Sequence, residues 1–150
     1  MLDENYSQEF HRYERTYGNK YTGDSPADQS QKIHDQLYKD LAKPLKAMQA
    51  ALLRDVSKNC YKEKWMAPTF TNQEQIDICI EAKRVKHFGK FEDELHNRRD
   101  STRFQFQDCL VDAGNDIESS VKCIRNYLSG MESDNKALSQ FVADNYSKYC

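Results

Sequence analysis

The sequence has no run of 18 apolar residues, so it predicts no helix that crosses a bilayer. It has no glycine-rich phosphate loop, no pair of histidines at zinc-helix spacing and no CxxC pair. His11, His34, His87 and His96 are dispersed, and none has a second ligand at a metal spacing. His87 and His96 read as solvated helix residues, and the acidic run Glu92-Asp93-Glu94 reads as a solvated face. Basic excess is missing too: 22 basic against 24 acidic residues give a net charge of -2, and Arg98, Arg99 and Arg103 are too few to make a nucleic-acid stripe. Neither an apolar secretory leader nor an acid-free, arginine-rich presequence is expected, because Asp3, Glu4 and Glu9 come early. The expectation from these absences is a non-enzyme with no cofactor, no metal and no nucleic-acid partner, peripheral to any membrane it meets.

What the chain does carry is helical periodicity. In residues 71–113, apolar positions at Ile76, Cys79, Ile80, Phe88, Phe91, Leu95, Phe106, Cys109 and Leu110 fall mostly at steps of three and four, one face of a helix. Thr71 followed by Glu74 is the side-chain pair that closes the free amides of a first turn. Gly89 and Asn97-Arg98-Arg99-Asp100 are points where this long helix could kink or break.

If that helix is unbroken, Cys79 and Cys109 lie near its opposite ends, about 45 Å apart at about 1.5 Å per residue, and cannot bond each other. Cys60 precedes Cys79 by 19 positions, with the turn signal Trp65-Met66-Ala67-Pro68-Thr69 between them; Cys123 follows Cys109 by 14, with Gly114 between them. Two antiparallel helix hairpins sharing the middle helix would bring Cys60 to Cys79 and Cys109 to Cys123 within disulfide reach, with the first helix ending near Lys64. A free core cysteine is the alternative for Cys60. Mean hydropathy is -0.95 and the apolar fraction 38%, low for a chain that must bury its own core, so staples or partners are expected.

Around this pair of hairpins the chain divides into three regions. Residues 1–26 form an arm in which Tyr6, Phe10, Tyr13, Tyr17 and Tyr21 repeat at steps of 4, 3, 4 and 4. An isolated helix of this length is marginal in water, so the stripe is expected to dock, either on a partner protein or on the hairpins of its own chain. Residues 27–131 hold the hairpins. There Ile33, Leu37, Leu41, Leu45, Met48, Leu52, Val56 and Cys60 make the strongest stripe, with Pro44 kinking or dividing it. Gly114 and Asp116 separate the middle helix from the seam Ile117, Val121, Ile124, Leu128 and Met131. Gly130 is expected to end or bend that helix, and 132–150 to form a last helix or tail carrying Leu138, Phe141, Val142, Tyr146 and Tyr149. Cys150 is left over, free or bonded to another chain. The fold class is all-α: two disulfide-stapled antiparallel hairpins on a long middle helix, plus an N-terminal aromatic helix and a C-terminal helix.

Over 33–128 the chain resembles the twin-CX3C helical-hairpin proteins of the mitochondrial intermembrane space, the small Tim chaperones and, more closely, the helical family with sequence similarity 136. The resemblance rests on Met48-Gln49-Ala50-Ala51-Leu52-Leu53-Arg54 leading into Cys60, and on 75–82, where Cys79-Ile80-Glu81 is similar to the start of a third CX3C. Those proteins tie each hairpin with an inner and an outer disulfide. Here Val56 and Lys83 stand at the outer positions of the first hairpin and Gln105 and Tyr127 at those of the second, so only inner bridges remain; the second hairpin can also be aligned with Cys109 as an outer residue opposite Ala113. The resemblance implies an oxidising compartment, the intermembrane space, peripheral to the inner membrane. It also implies one of two roles. The first is a structural accessory subunit of a respiratory-chain complex or the ATP synthase, with other subunits of that complex as partners. The alternative is a soluble import chaperone. A thiol oxidoreductase using Cys150 or a labile bridge is a third expectation.

Overall fold

The structure is a computed structural model that describes residues 25–61 and 70–150, the side chains of 70–72 excepted. The aromatic positions Tyr6, Phe10, Tyr13, Tyr17 and Tyr21, the turn at 65–69 and the Thr71 half of the expected cap lie outside the described residues. Every described element is helical: α1 (Pro26–Asp40), α2 (Ala42–Asn59), α3 (Phe70–Ala113), α4 (Ile117–Asn145) and a closing 3-10 turn (Ser147–Tyr149).

Local chemistry sets the helix ends. The Ser25 hydroxyl accepts the Asp28 amide at 3.1 Å, and Pro26 opens α1 where its missing N–H costs nothing. The long stripe through Ile33 and Val56 divides at Leu41 (φ -100°, ψ 12°). Pro44 is the third residue of α2, inside the first turn, where amides have no intrahelical partner to lose. α2 ends at Asn59 rather than near Lys64, with Cys60 as its cap.

Three expected weak points, Gly89, the run at 97–100 and Gly130, do not interrupt their helices. α3 runs unbroken for 44 residues, roughly 66 Å. The polar run at 97–100 is tied down: Arg98 reaches back to Glu94 at 2.6 Å, and Arg99 reaches across to α4. α4 continues through Gly130, so the helix expected from 132 is the second half of α4, and the 131/132 boundary falls inside one element. The reason lies across the interface: a Cβ at Gly130 would come within 3.0 Å of the Thr102 Cγ2. Glycine at this position permits close helix approach and terminates nothing. Gly114, by contrast, has φ 56° and ends α3, its amide reaching the Leu110 carbonyl at 3.2 Å. Asp116 then caps α4 by accepting the Ser119 amide at 3.3 Å.

α2 runs antiparallel to the first half of α3, and α4 antiparallel to the second half. α1 lies along α4 in the same direction, as the ordered pairs Ser30 with Met131 and Ile33 with Asn135 show. One core cluster sits at the α3–α4 turn end: Phe106, Cys123, Ile124, Tyr127 and Met131, with Ala27 and Ile33 from α1 packed on it. The other lies at the middle of the molecule, where Leu37, Leu41, Met48, Phe91, Leu138, Val142 and Tyr146 bring all four helices together. Burying each large apolar side chain there contributes roughly 1.5–3 kcal/mol before chain entropy is counted.

Candidate functional site

The chemistry-bearing residues lie at three places along α3. At its N-terminal end Cys60 and Cys79 are bonded, Cα atoms 5.6 Å apart; near its C-terminal end Cys109 and Cys123 are bonded, Cα atoms 5.7 Å apart. Both hairpins of the all-α fold are therefore stapled. The surroundings differ. Cys123 is buried in the cluster of Phe106, Ile124, Tyr127 and Met131, while Cys60 and Cys79 are both half-exposed and belong to no core cluster. Cys109 also faces an open groove of about 550 Å³, lined by Gln105, Asp108, Asp112, Lys122 and Asn126.

Next to the first staple a polar clasp spans α2 and α3. The Asp55 side chain, 11% exposed, faces the His87 Nε2 at 2.9 Å, with the Lys83 and Lys86 ammoniums each at 3.3 Å; Asn59 donates to it at 2.6 Å. Hydrogen bonds from His87 and Asn59, then Lys83 and Lys86, hold the Asp55 carboxyl far below the usual carboxylate range. His87, read from sequence as a solvated helix residue, is thus a partner of Asp55 with its side chain 13% exposed. The correction follows from α2, whose Asp55 is presented one hairpin away where α3 periodicity alone cannot register it. His96 is exposed.

The third place is a polar junction inside the α3–α4 interface. The Arg99 guanidinium donates to the Asp134 carboxylate at 3.2 Å, the Met131 carbonyl at 3.1 Å and the Asn135 amide oxygen at 2.5 Å. Thr102 donates to the same Asp134 oxygen at 2.7 Å, and Asn135 donates onward to the Ile33 carbonyl of α1 at 2.8 Å. One chain of bonds thus links three helices. Burial pulls the Arg99 guanidinium down, and Asp134 opposes that shift. Burial also pushes the Tyr127 phenol up, with Asp134 adding to the effect. In the sequence Arg99 stands out only as one of three arginines too few for a nucleic-acid stripe and as part of a possible break in α3, and Thr102, Asp134 and Asn135 do not stand out at all. Asp134 and Asn135 stand one turn past Met131 on the face carrying Leu138, and polar residues on an apolar stripe were the available signal.

The acidic run behaves as a helix face: Glu92 pairs with Arg84 and Glu94 with Arg98 at 2.6 Å. Cys150 is free and exposed, its thiol 3.6 Å from the Tyr146 carbonyl. Among the described residues no group of three or more His, Cys, Asp and Glu side chains is placed to hold a metal ion, and no helix is long and apolar enough to cross a membrane. The arrangement can tie helices together and present long charged faces. No family model, no curated protein and no solved structure matches the chain.

Proposed function

We propose that this chain is a structural, non-catalytic accessory subunit on the intermembrane-space side of a mitochondrial inner-membrane complex, a respiratory-chain complex or the ATP synthase. It would be peripheral to the membrane and would brace neighbouring subunits. The observation that carries the reading is a 44-residue helix tied near both ends by disulfides to its flanking helices. That architecture suits a rigid spacer in an oxidising compartment, where such bonds persist. The resemblance of 33–128 to twin-CX3C proteins supports the compartment. The aromatic residues Tyr6, Phe10, Tyr13, Tyr17 and Tyr21, spaced at steps of three and four in the sequence, are the ones we assign to contacts with neighbouring subunits.

The test is non-reducing peptide mapping by mass spectrometry on protein purified in detergent from its native membrane fraction. We expect peptides joined through Cys60–Cys79 and Cys109–Cys123, and stoichiometric co-purification with the subunits of one membrane complex. Free thiols in the native protein would overturn the compartment. A homo-oligomer that binds apolar peptides and associates with no membrane complex would replace the subunit with an import chaperone.

A further inference from the structure

The two stapled hairpins are not equally cored. Over the second half of α3, α4 and α1 add a second and third helix, and two apolar clusters fill the space. Over the first half, α2 is the flanking helix, with the 3-10 turn that follows α4 also reaching it. α4 ends at Asn145, and Tyr146 meets α3 at the Phe91 amide, 3.2 Å away. Beyond that point the only buried hydrophobic side chain among the described residues is Val56. Leu52, Ile76 and Ile80 are half-buried; Leu53, Ile78 and Val85 are 59%, 65% and 53% exposed. A two-helix segment with so thin a core does not bury enough surface to close on itself. What holds it is the Cys60–Cys79 bond and the Asp55 clasp with His87, Lys83 and Lys86.

We propose that the tip of this hairpin, residues 49–61 and 70–87, is a redox-released segment. Reduction of Cys60–Cys79 lets α2 and the start of α3 part and uncovers Leu52, Val56, Ile76 and Ile80, while the body formed by α1, α4 and the rest of α3 stays folded. The reductant is a dithiol. One of its thiolates attacks a cystine sulfur and breaks the S–S bond, giving a mixed disulfide; its second thiol closes the dithiol into its own disulfide and releases Cys60 and Cys79 as thiols. Two electrons and two protons pass from dithiol to protein. Access does not distinguish the two staples, since Cys109 also faces an open groove. The consequence does, because Cys109 and Cys123 remain packed around Phe106 and Tyr127 once their bond is cut. The inference needs only that the bonds form, and it stands or falls independently of the subunit reading.

The experiment is amide hydrogen exchange by mass spectrometry on the full, oxidised chain and on the double variant Cys60→Ser/Cys79→Ser. In the variant we expect exchange at 49–61 and 73–87 to rise roughly tenfold or more, with 117–145 unchanged within roughly twofold. Treating the oxidised parent with dithiothreitol should reproduce the tip effect. Cys109→Ser/Cys123→Ser should leave tip exchange at the parent level. Unchanged tip exchange in the first variant, or loss of protection spreading through 117–145, overturns the proposal, and so does complete unfolding of that variant.

Discussion

α3 and α4 each carry a glycine in mid-helix, and the structure gives Gly→Ala opposite signs at the two positions. By intrinsic propensity alone each substitution should stabilise by roughly 0.8–1 kcal/mol, because alanine loses less backbone freedom than glycine. At Gly89 the added Cβ meets only the side chain of Val85, its Cγ1 at 3.2 Å and its Cβ at 3.9 Å. Val85 is 53% exposed and can yield by a few tenths of an ångström into solvent. Most of the propensity gain should survive, so we expect Gly89→Ala to stabilise by about 0.5–1 kcal/mol. At Gly130 the added Cβ meets the Thr102 Cγ2 at 3.0 Å across the helix interface. Thr102 is buried, β-branched and stiff at χ1, and its hydroxyl is committed to Asp134 at 2.7 Å. Relief by rotation breaks a bond to a buried carboxylate, and relief by translation separates α3 from α4. Overpacking of this kind costs typically about 1–3 kcal/mol against a propensity gain of about 0.8–1 kcal/mol, so the net change should be a loss of up to about 2 kcal/mol. Urea unfolding of the oxidised protein measures both changes through the midpoint at constant slope. Two changes of the same sign would refute the argument that Gly130 is present for helix approach. Gly130→Ala/Thr102→Ser, which removes the clashing methyl and keeps the hydroxyl, should recover most of the loss.

The polar junction and the clasp yield further expectations. Asp134→Ala leaves the Arg99 guanidinium, whose side chain is 16% exposed, without its carboxylate, and should destabilise by about 3 kcal/mol in the same unfolding assay. A loss under ~1 kcal/mol would show the pair to be solvated. Leu138→Ala opens a cavity where all four helices meet and should cost about 2–5 kcal/mol, read as a lowered urea midpoint. Asp55 has its folded pKa depressed, so its contribution is fully present above the unfolded carboxylate value and is lost as pH falls through the folded one. Lowering the pH from 7 to below about 4 should therefore raise amide exchange, corrected for its intrinsic pH dependence, in the tip carrying Lys83, Lys86 and His87. Asp55→Asn should flatten that response; an equal response in the variant would assign the effect to another group.

Helix content, the four bonded cysteines and the antiparallel sense of both hairpins were legible in the sequence because each depends on local periodicity and on turns between neighbouring elements. Ile33 through Val56 announce a helical stripe, and Pro44 announces its division. Gly130 shows where such reasoning fails. Glycine in a helix is read as a stop because backbone entropy is a local quantity, yet its role here is fixed by Thr102, 28 positions away in the chain. Asp55 and His87 fail for the same reason: each looks solvated on its own helix, and only hairpin register brings them to 2.9 Å. The α1–α4 pairing, carried by Asn135 and the Ile33 carbonyl, joins elements 102 positions apart and leaves no mark in any sequence window.

The placement of the polar groups follows from the scarcity of apolar ones. A chain with mean hydropathy -0.95 cannot line a 44-residue helix with core along its whole length. It concentrates core side chains where three or four helices meet, and there it can carry a buried Arg99–Asp134 pair, because Thr102, Asn135 and the Met131 carbonyl add bonds to it, although the Arg99 Nε is buried without a partner. Where only two helices meet, the Cys60–Cys79 bond and the Asp55 clasp replace the missing core. In the loop-entropy model the two staples, closing spans of 19 and 14 residues, each stabilise by about 3 kcal/mol, so loop length does not rank them. Their surroundings do. A bond set in a packed cluster shares its work with Phe106 and Tyr127, whereas the bond at the tip has beside it Val56, the half-buried Leu52, Ile76 and Ile80, and the polar clasp of Asp55, Lys83, Lys86 and His87.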